Sequence, residues 1–360
     1  MVRSIELHPA LRGPIDVKSK QVGLEHPRAL LRVLPDQPGR LLGLANRHVV
    51  SAMQFERDTL LQLFRLAAMI EIQPSLQHLP LSGKILITAF YEPSTRTRLS
   101  FESAWHRLGG DILSITDPAT TGMAKGESLR DIAEMFSNYG DAVVLRDTDE
   151  RSVYEMIETL RVPILNAGNG IDEHPTQALA DLYTLFKWRP ALCSEDDASR
   201  VRIGIIGNPS KMRTVRSLLI LLSLFYDRID EVVIVNPSRD LFDEGQRELL
   251  ESRGLRIRAE HQLRGVLPEL DVVYINSIAW IGDTFERLTG DMGLSADSGL
   301  RPDAIVLHPL ARGEELDESL DDTDHNWYFS QARGATFVRM ALLTSMVERV
   351  HRVADVRPPS

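Results

Sequence analysis

Residues 84–110 constrain the fold more than any other stretch of the chain. Residues 84–91 are apolar and β-favouring, which is typical of a strand covered on both faces of its sheet. Pro93 ends this run, because a proline has no N–H to donate to a neighbouring strand. Apolar side chains then recur on one helical face from Phe101 to Leu108. The stretch therefore predicts a buried strand, a tight turn and an amphipathic helix, the units of an α/β fold.

The same alternation of strand-like and helical patterns continues on both sides of a polar segment and predicts two domains. We predict that each domain is a parallel β-sheet flanked by helices, the first over residues 46–190 and the second over residues 200–333. A last amphipathic helix, predicted over residues 334–352, would fold back onto the first domain. Residues 1–45 are interrupted by prolines, and we expect them to form an extension outside the main fold.

The composition excludes several classes of function. A net charge of −10 argues against general nucleic-acid binding. Cys193 is the only cysteine, so the chain has no intrachain disulfide and no cysteine-rich metal site, and a reducing compartment suits it. No apolar run is long enough to span a membrane, and the N-terminus lacks a secretory signal pattern. We expect a cytoplasmic protein with no nucleic-acid or membrane partner.

The turn between the first strand and its helix has the residue types that bind an oxyanion. Hydroxyls and guanidinium groups meet the free N–H groups of a helix N-terminus in the segment STRTR, residues 94–98. The alternative is an N-cap at Ser94 or Thr95 beside two solvated arginines, and the strand–turn–helix context weakens this alternative. A later helix begins at Arg213 and Thr214, which suit a carboxylate or a phosphate. The preceding turn lacks the G-x-G-x-x-G pattern, so we reject NAD binding.

Three further polar residues are candidates with simpler alternatives. Lys125 lies in a polar, glycine-containing loop, where it would reach an anion or remain solvated. His174 and Gln177 lie near the start of a helix whose Pro175 suits the first turn. A lone histidine is more often structural than catalytic, so the pattern alone does not decide the role of His174.

Four sequence blocks together resemble the aspartate and ornithine carbamoyltransferases, and the aspartate branch more closely. In chain order they are FYEPSTRTRLSFESAWHRLGG, AKGES, HPTQALADLYTL and HPLARGEELDESLDDTDHNWYFSQARGATFVRMALL. The similarity covers about residues 46–350. The STRTR segment alone is a moderately specific sign of this family, whereas four blocks in the same order are strong evidence for the resemblance.

The resemblance implies that the chain binds carbamoyl phosphate and uses no metal or cofactor. The residues that would bind the phosphate are Ser94, Thr95, Arg96 and Thr97. The residues that would polarise the carbamoyl carbonyl are Thr97, Arg146 and His174. The groups that would bind the carbamoyl NH₂ are Gln177 and the backbone carbonyls of Pro309 and Leu310. The departing phosphate would itself accept the proton of the amine.

The resemblance also implies an oligomer with shared sites. A neighbouring subunit would contribute Lys125, with Thr121 beside it, to each active site. Family members form trimers, so a homotrimer or a larger assembly of trimers is expected. Arg96, Thr97, Arg146, His174 and Lys125 would then be the catalytic residues.

The acceptor side of the site matches the family only in part. Arg213 and Thr214 match the pair that receives the α-carboxylate of the amino acid, and Leu310 would lie against it. Aspartate-specific members carry an arginine and a glutamine where this chain has Ser277 and Ala279. The loss of one arginine fork would remove a charge-assisted contact of about 1.5–3 kcal/mol.

Three hypotheses follow from this departure. The chain carbamoylates L-aspartate with another basic residue in place of the missing contact, or it carbamoylates another amine such as a diamino acid. Asp283 and Glu286 would suit a positively charged acceptor, or they are solvated loop carboxylates. The third hypothesis is a catalytically silent homologue that acts as a structural or regulatory subunit, and the presence of Arg96 and His174 disfavours it.

Overall fold

The computed structural model describes residues 21–73, 79–195, 197–276, 280–281, 284–285 and 292–347. The strands are β1 (Ile85–Phe90), β2 (Asp111–Ile115), β3 (Ala142–Asp147), β4 (Ile164–Asn169), β5 (Val201–Ile206), β6 (Ile229–Val235), β7 (Ile257–Glu260), β8 (Val272–Ile275), β9 (Trp280–Ile281), β10 (Thr284–Phe285) and β11 (Ile305–Leu307). The helices are α1 (His26–Val33), α2 (Arg57–Ile72), α3 (Thr95–Arg107), α4 (Leu129–Tyr139), α5 (Ser152–Ile157), α6 (Pro175–Trp188), α7 (Arg213–Ser223), α8 (Gln246–Ser252) and α9 (Tyr328–Met346).

Two parallel sheets organise these elements, as the alternating pattern predicts. The first sheet has the strand order β2-β1-β3-β4, and the second has the order β11-β8-β5-β6-β7. All pairs in both sheets are parallel, whereas β9 and β10 form a separate antiparallel pair. The two-domain α/β fold class is therefore confirmed.

The strand–turn–helix unit has the predicted form. Leu86 to Phe90 of β1 are buried, and the apolar face of α3 is buried from Phe101 to Leu108. After α3 the backbone at Gly110 passes close to the side chain of Trp105, because a Cβ atom at Gly110 would lie 2.2 Å from Nε1 of Trp105. Only glycine fits there, and the close approach starts β2 beside β1.

The described part of the N-terminal segment packs onto the main fold, which contradicts our expectation that it lies outside. Leu30 of α1 is fully buried, and α1 packs against α2 and α6. The carbonyl of Val22 accepts a hydrogen bond of 2.8 Å from Arg333 of α9. The ring of His26 packs edge-on against Trp327, with centroids 4.8 Å apart. Residues 1–20 lie outside the described part of the chain.

The last helix begins earlier than predicted. It starts at Tyr328 and is described as far as Met346, and residues 348–352 of the predicted range are outside the described chain. It packs against α2, α3 and α6, which places it on the first sheet's side of the molecule. Among the residues described, we find no helix with the length and apolar character needed to cross a membrane.

Candidate active site

The predicted site residues follow three neighbouring strands of the first sheet at the edge where those strands end. The STRTR turn follows β1, Arg146 lies near the end of β3, and His174 follows β4. These strands are adjacent in the order β1-β3-β4. Because the carboxyl ends of parallel strands share one edge, the turn, the guanidinium and the imidazole are brought to the same side of the sheet.

The STRTR turn leaves some of its polar groups available. Ser94 occupies the N-cap position of α3, yet its hydroxyl makes no capping hydrogen bond. Thr97 is buried in the first turn, whereas Arg96 is exposed and makes no ion pair with the residues that the structure describes. Partial burial lowers the pKa of Arg96, which remains a cation. Arg98 points elsewhere, because its Nη1 lies 3.4 Å from the Glu102 carboxylate.

Glu92 joins two of the predicted substrate-binding arginines, and our sequence analysis missed it. Its carboxylate accepts a bidentate pair from Arg213 of α7, with Nη1–Oε2 at 2.8 Å and Nη2–Oε1 at 2.7 Å. Oε1 also accepts a hydrogen bond from Nη2 of Arg146. Burial alone would raise the pKa of Glu92, but the hydrogen bonds and charges of Arg213 and Arg146 lower it overall. Glu92 is therefore a carboxylate that links the first sheet to the second half of the chain.

Arg146 lies in a crowded, cationic environment. The pKa of Arg146 is lowered to about 10, because burial and the charge of Arg213 together outweigh the opposing effect of Glu92. Its Nε is buried without a hydrogen-bond partner among the described residues. The guanidinium is still fully charged near neutral pH, and its free donor suits an oxygen that gains negative charge.

His174 is held at the start of α6 as a neutral ring. Its backbone N–H donates to Oγ of Ser217 at 3.0 Å, and its Nδ1 lies 3.4 Å from Oγ1 of Thr176. Burial lowers the pKa of His174 well below its ordinary value, and the charges of Arg146 and Arg213 act in the same direction. A neutral imidazole can donate one hydrogen bond to a carbonyl without adding a charge.

A second missed carboxylate supports His174 from the preceding position. Glu173 is buried and accepts hydrogen bonds from the hydroxyl of Ser51, from the N–H of Ala52 at 2.8 Å and from Oγ of Ser217 at 2.9 Å. Burial raises its pKa, and the donors around it partly offset that rise. Glu173 therefore ties the start of α6 to α7, which carries Arg213.

The backbone at Pro309 and Leu310 is fixed by a buried histidine. The N–H of Leu310 donates to Nδ1 of His308 at 2.8 Å, so the other ring nitrogen carries the proton toward Oε1 of Glu315, 3.0 Å away. Leu310 has φ +56°, an uncommon conformation for a non-glycine residue. Ala311 follows a cis peptide bond.

Some predicted residues are not part of this cluster in the single chain. Lys125 is exposed at the end of a 3₁₀ turn and forms neither a hydrogen bond nor an ion pair with described residues, while Thr121 caps the same turn. Thr214 is buried, and its Oγ1 accepts a hydrogen bond of 2.9 Å from Asn276. The predictions for Ser277, Ala279, Asp283 and Glu286 fall outside the described residues. No cluster of three metal-ligating side chains occurs within the described ranges.

Comparisons with known proteins point in one direction. The carbamoyl-phosphate-binding domain of the aspartate/ornithine carbamoyltransferases matches residues 47–187, and their aspartate/ornithine-binding domain matches residues 199–346. The aspartate carbamoyltransferase catalytic subunit of Methanopyrus kandleri is 38% identical over 307 residues, covering 83% of this chain and 96% of that protein. The corresponding subunit of Pyrobaculum islandicum is 37% identical over 303 residues, covering 82% and 97%.

Solved structures of similar proteins belong to the same family. The aspartate transcarbamoylase of Trypanosoma cruzi in complex with aspartate and phosphate has a TM-score of 0.76 and 32% identity, covering 87% of this chain and 98% of that chain. The same enzyme in complex with carbamoyl phosphate has a TM-score of 0.76 and 31% identity, covering 87% and 98%.

Proposed function

Because the chain belongs to the aspartate/ornithine carbamoyltransferase family, we propose that it transfers the carbamoyl group of carbamoyl phosphate to the amino group of L-aspartate. The products are N-carbamoyl-L-aspartate and phosphate, a step of pyrimidine biosynthesis. The observation that carries the proposal is the convergence of the STRTR turn, Arg146 and His174 at the ends of three adjacent strands. The aspartate carbamoyltransferases named above support the choice of acceptor.

The chemistry follows from where charge develops. Attack of a neutral amine on the carbamoyl carbon turns the carbonyl oxygen into an oxyanion and then expels phosphate. Arg146, His174 and Thr97 are assigned to that oxygen, where prepositioned donors act most strongly. Ser94, Thr95 and Arg96 are assigned to the phosphate at the helix N-terminus. The leaving phosphate takes the amine proton, so the site needs no protein base.

We assign the acceptor's carboxylates to the second half of the chain. Arg213 begins α7 and already binds a carboxylate in this structure, that of Glu92. Its guanidinium therefore has the planar, bidentate geometry that an α-carboxylate would use. Thr214 lies beside it in the same first turn, and we also assign to the acceptor Leu310, whose backbone N–H is held by His308. Ser277 and Ala279 remain our candidates for the acceptor side chain.

A panel of amines tests the acceptor. Phosphate release from carbamoyl phosphate should be fast with L-aspartate and close to background with L-ornithine and L-2,3-diaminopropionate. The reason is that the acceptor pocket is assigned to a dicarboxylate, and each of these diamino acids carries an ammonium group in place of the second carboxylate of L-aspartate. If phosphate were released only with a diamino acid, that diamino acid would replace L-aspartate as the proposed acceptor. If the protein bound carbamoyl phosphate but released no phosphate with any amine, it would be a silent subunit.

We also propose that the chain forms a homotrimer, or a multiple of it, with sites shared between subunits in the cytoplasm. Lys125 lies on the loop after the edge strand β2 and has no ionic partner among the described residues. Leu113 of β2 and Leu99 of α3 are 48% and 50% exposed, which leaves two large apolar side chains uncovered on β2 and on the helix that precedes it. A neighbouring subunit packed here would cover both leucines and receive Lys125.

Complementation between inactive variants tests the shared site. Arg96→Ala and Lys125→Ala should each be nearly inactive, but a mixture that is dissociated and reassembled should regain activity well above the sum of the two. The reason is that some sites then combine an intact Arg96 with an intact Lys125 from its neighbour. The matched control mixes Arg96→Ala with Arg146→Ala, which belong to the same subunit and should not recover. Equal results for the two mixtures would contradict a shared site.

A further inference from the structure

We propose that Asp181 is a positioning residue that holds both groups assigned to the carbamoyl NH₂, the side-chain oxygen of Gln177 and the backbone at Leu310. The inference rests on the proposed function, because it concerns how that site distinguishes carbamoyl phosphate from phosphate. Asp181 lies on α6 and is 1% exposed.

The first arm of the arrangement fixes the amide of Gln177. Nε2 of Gln177 donates to Oδ1 of Asp181 at 2.7 Å. An ionised carboxylate can only accept hydrogen bonds, so it selects the NH₂ end of the Gln177 amide. The amide oxygen must then point away from Asp181, where it can accept from an NH₂ group. A reversed amide would present a donor to the donor of the substrate.

The second arm reaches the loop that contains Leu310. Nε2 of Gln331, on α9, donates to the same Oδ1 at 2.6 Å. Its amide oxygen then accepts the backbone N–H of His308 at 2.8 Å. His308 in turn accepts the N–H of Leu310 at its Nδ1. One buried chain of hydrogen bonds therefore runs from Gln177 through Asp181 and Gln331 to the backbone at Leu310.

The environment of Asp181 is built for a carboxylate. Its Oδ2 accepts the hydroxyl of Tyr274, on β8 of the second sheet, at 3.0 Å. Arg339 of α9 is buried nearby and supplies the compensating positive charge. The pKa of Asp181 is raised to about 6, because burial outweighs the three donors and the charge of Arg339. Asp181 is therefore ionised above pH 7, in the state that orients Gln177.

Ligand selectivity separates positioning from a merely structural role. In Asp181→Ala we expect the dissociation constant for carbamoyl phosphate to rise about tenfold, which corresponds to the loss of one hydrogen bond to the carbamoyl NH₂. The constant for inorganic phosphate should stay unchanged, since phosphate uses only the STRTR turn. Asp181→Asn keeps an acceptor oxygen toward Gln177 and Gln331 and should restore most of the affinity. In a Gln177→Ala background, Asp181→Ala should cause little further loss.

The matched control is Thr184→Val, at a buried residue one turn along α6 whose hydroxyl donates to the carbonyl of Ala180 at 2.7 Å and to no other described residue. It should bind both ligands like the wild type. If Asp181→Ala does not fold, Gln331→Met tests the other arm and should show the same selective loss.

The role of Asp181 would be overturned if Asp181→Ala weakened the binding of both ligands equally or did not weaken the binding of either. It would also be overturned if Asp181→Asn failed to restore the affinity for carbamoyl phosphate, or if the losses of Asp181→Ala and Gln177→Ala were additive. A wild-type chain that binds carbamoyl phosphate no better than phosphate would overturn the proposed function, and the role of Asp181 with it.

Discussion

Replacing Arg96 with alanine should lower kcat by about 10³-fold, the upper range for removal of one donor from a preorganised anion site. Arg96 is a charged side chain in the first turn of α3 with no ionic partner in the described chain, so no described carboxylate neutralises its charge. Its guanidinium would meet the phosphate as negative charge accumulates on the leaving group. Steady-state kinetics with carbamoyl phosphate and L-aspartate measures the effect.

Arg98→Ala is the matched control for this prediction. Arg98 lies two residues further along the same helix and pairs with Glu102 at 3.4 Å, an i,i+4 pair on a partly exposed surface. Such pairs contribute about 0.3–0.5 kcal/mol, so the variant should stay close to wild-type activity. An active Arg96→Ala enzyme, or an equal loss in both variants, would contradict the assignment of the phosphate site.

Replacing Glu92 with alanine should lower kcat/KM for L-aspartate by about 10–100-fold, since loss of one partner leaves partly buried charges uncompensated. Arg146 and Arg213 would then repel each other without the carboxylate between them. Arg213 would also lose the bidentate contact that fixes its guanidinium relative to the first sheet. Inorganic phosphate should bind nearly as before, because Glu92 does not contact the STRTR hydroxyls in this structure.

Glu102→Ala provides the comparison for Glu92. It removes a carboxylate of the same type from α3, but one whose arginine partner has no assigned role in the site. Its kcat/KM should change little. If Glu92→Ala keeps the wild-type kcat/KM, the link between Arg146 and Arg213 has no part in catalysis.

Local patterns predicted much of the fold because the elements near the site are strongly periodic. Residues 84–110 fold as their pattern predicts, since an apolar strand and a helix with one apolar face allow few other arrangements. The N-terminal segment was predicted less well. Helix α1 has only eight residues, and the burial of Leu30 depends on α2 and α6, which no local pattern reveals.

The candidate site was also predicted only in part from the sequence. Arg96, Arg146 and His174 lie at or after the ends of strands, so their approach to one sheet edge could be predicted. Glu92 lies in the same motif as Arg96 but meets Arg213 across 121 positions of the chain. In the sequence, Asp181 looks like an ordinary polar residue of α6, and its partner Gln331 is 150 positions away. Pairings of this kind depend on the packing of distant elements, and sequence periodicity contains no signal for them.

The most direct test of the central claim follows the carbamoyl carbon itself. Carbamoyl phosphate labelled with ¹³C at the carbonyl, incubated with the purified protein and L-aspartate, should yield ¹³C-labelled N-carbamoyl-L-aspartate by NMR, in a one-to-one ratio with released phosphate. Release of phosphate without a labelled ureido product, at a rate independent of L-aspartate, would contradict the account, because the site would then hydrolyse carbamoyl phosphate and not transfer its carbamoyl group.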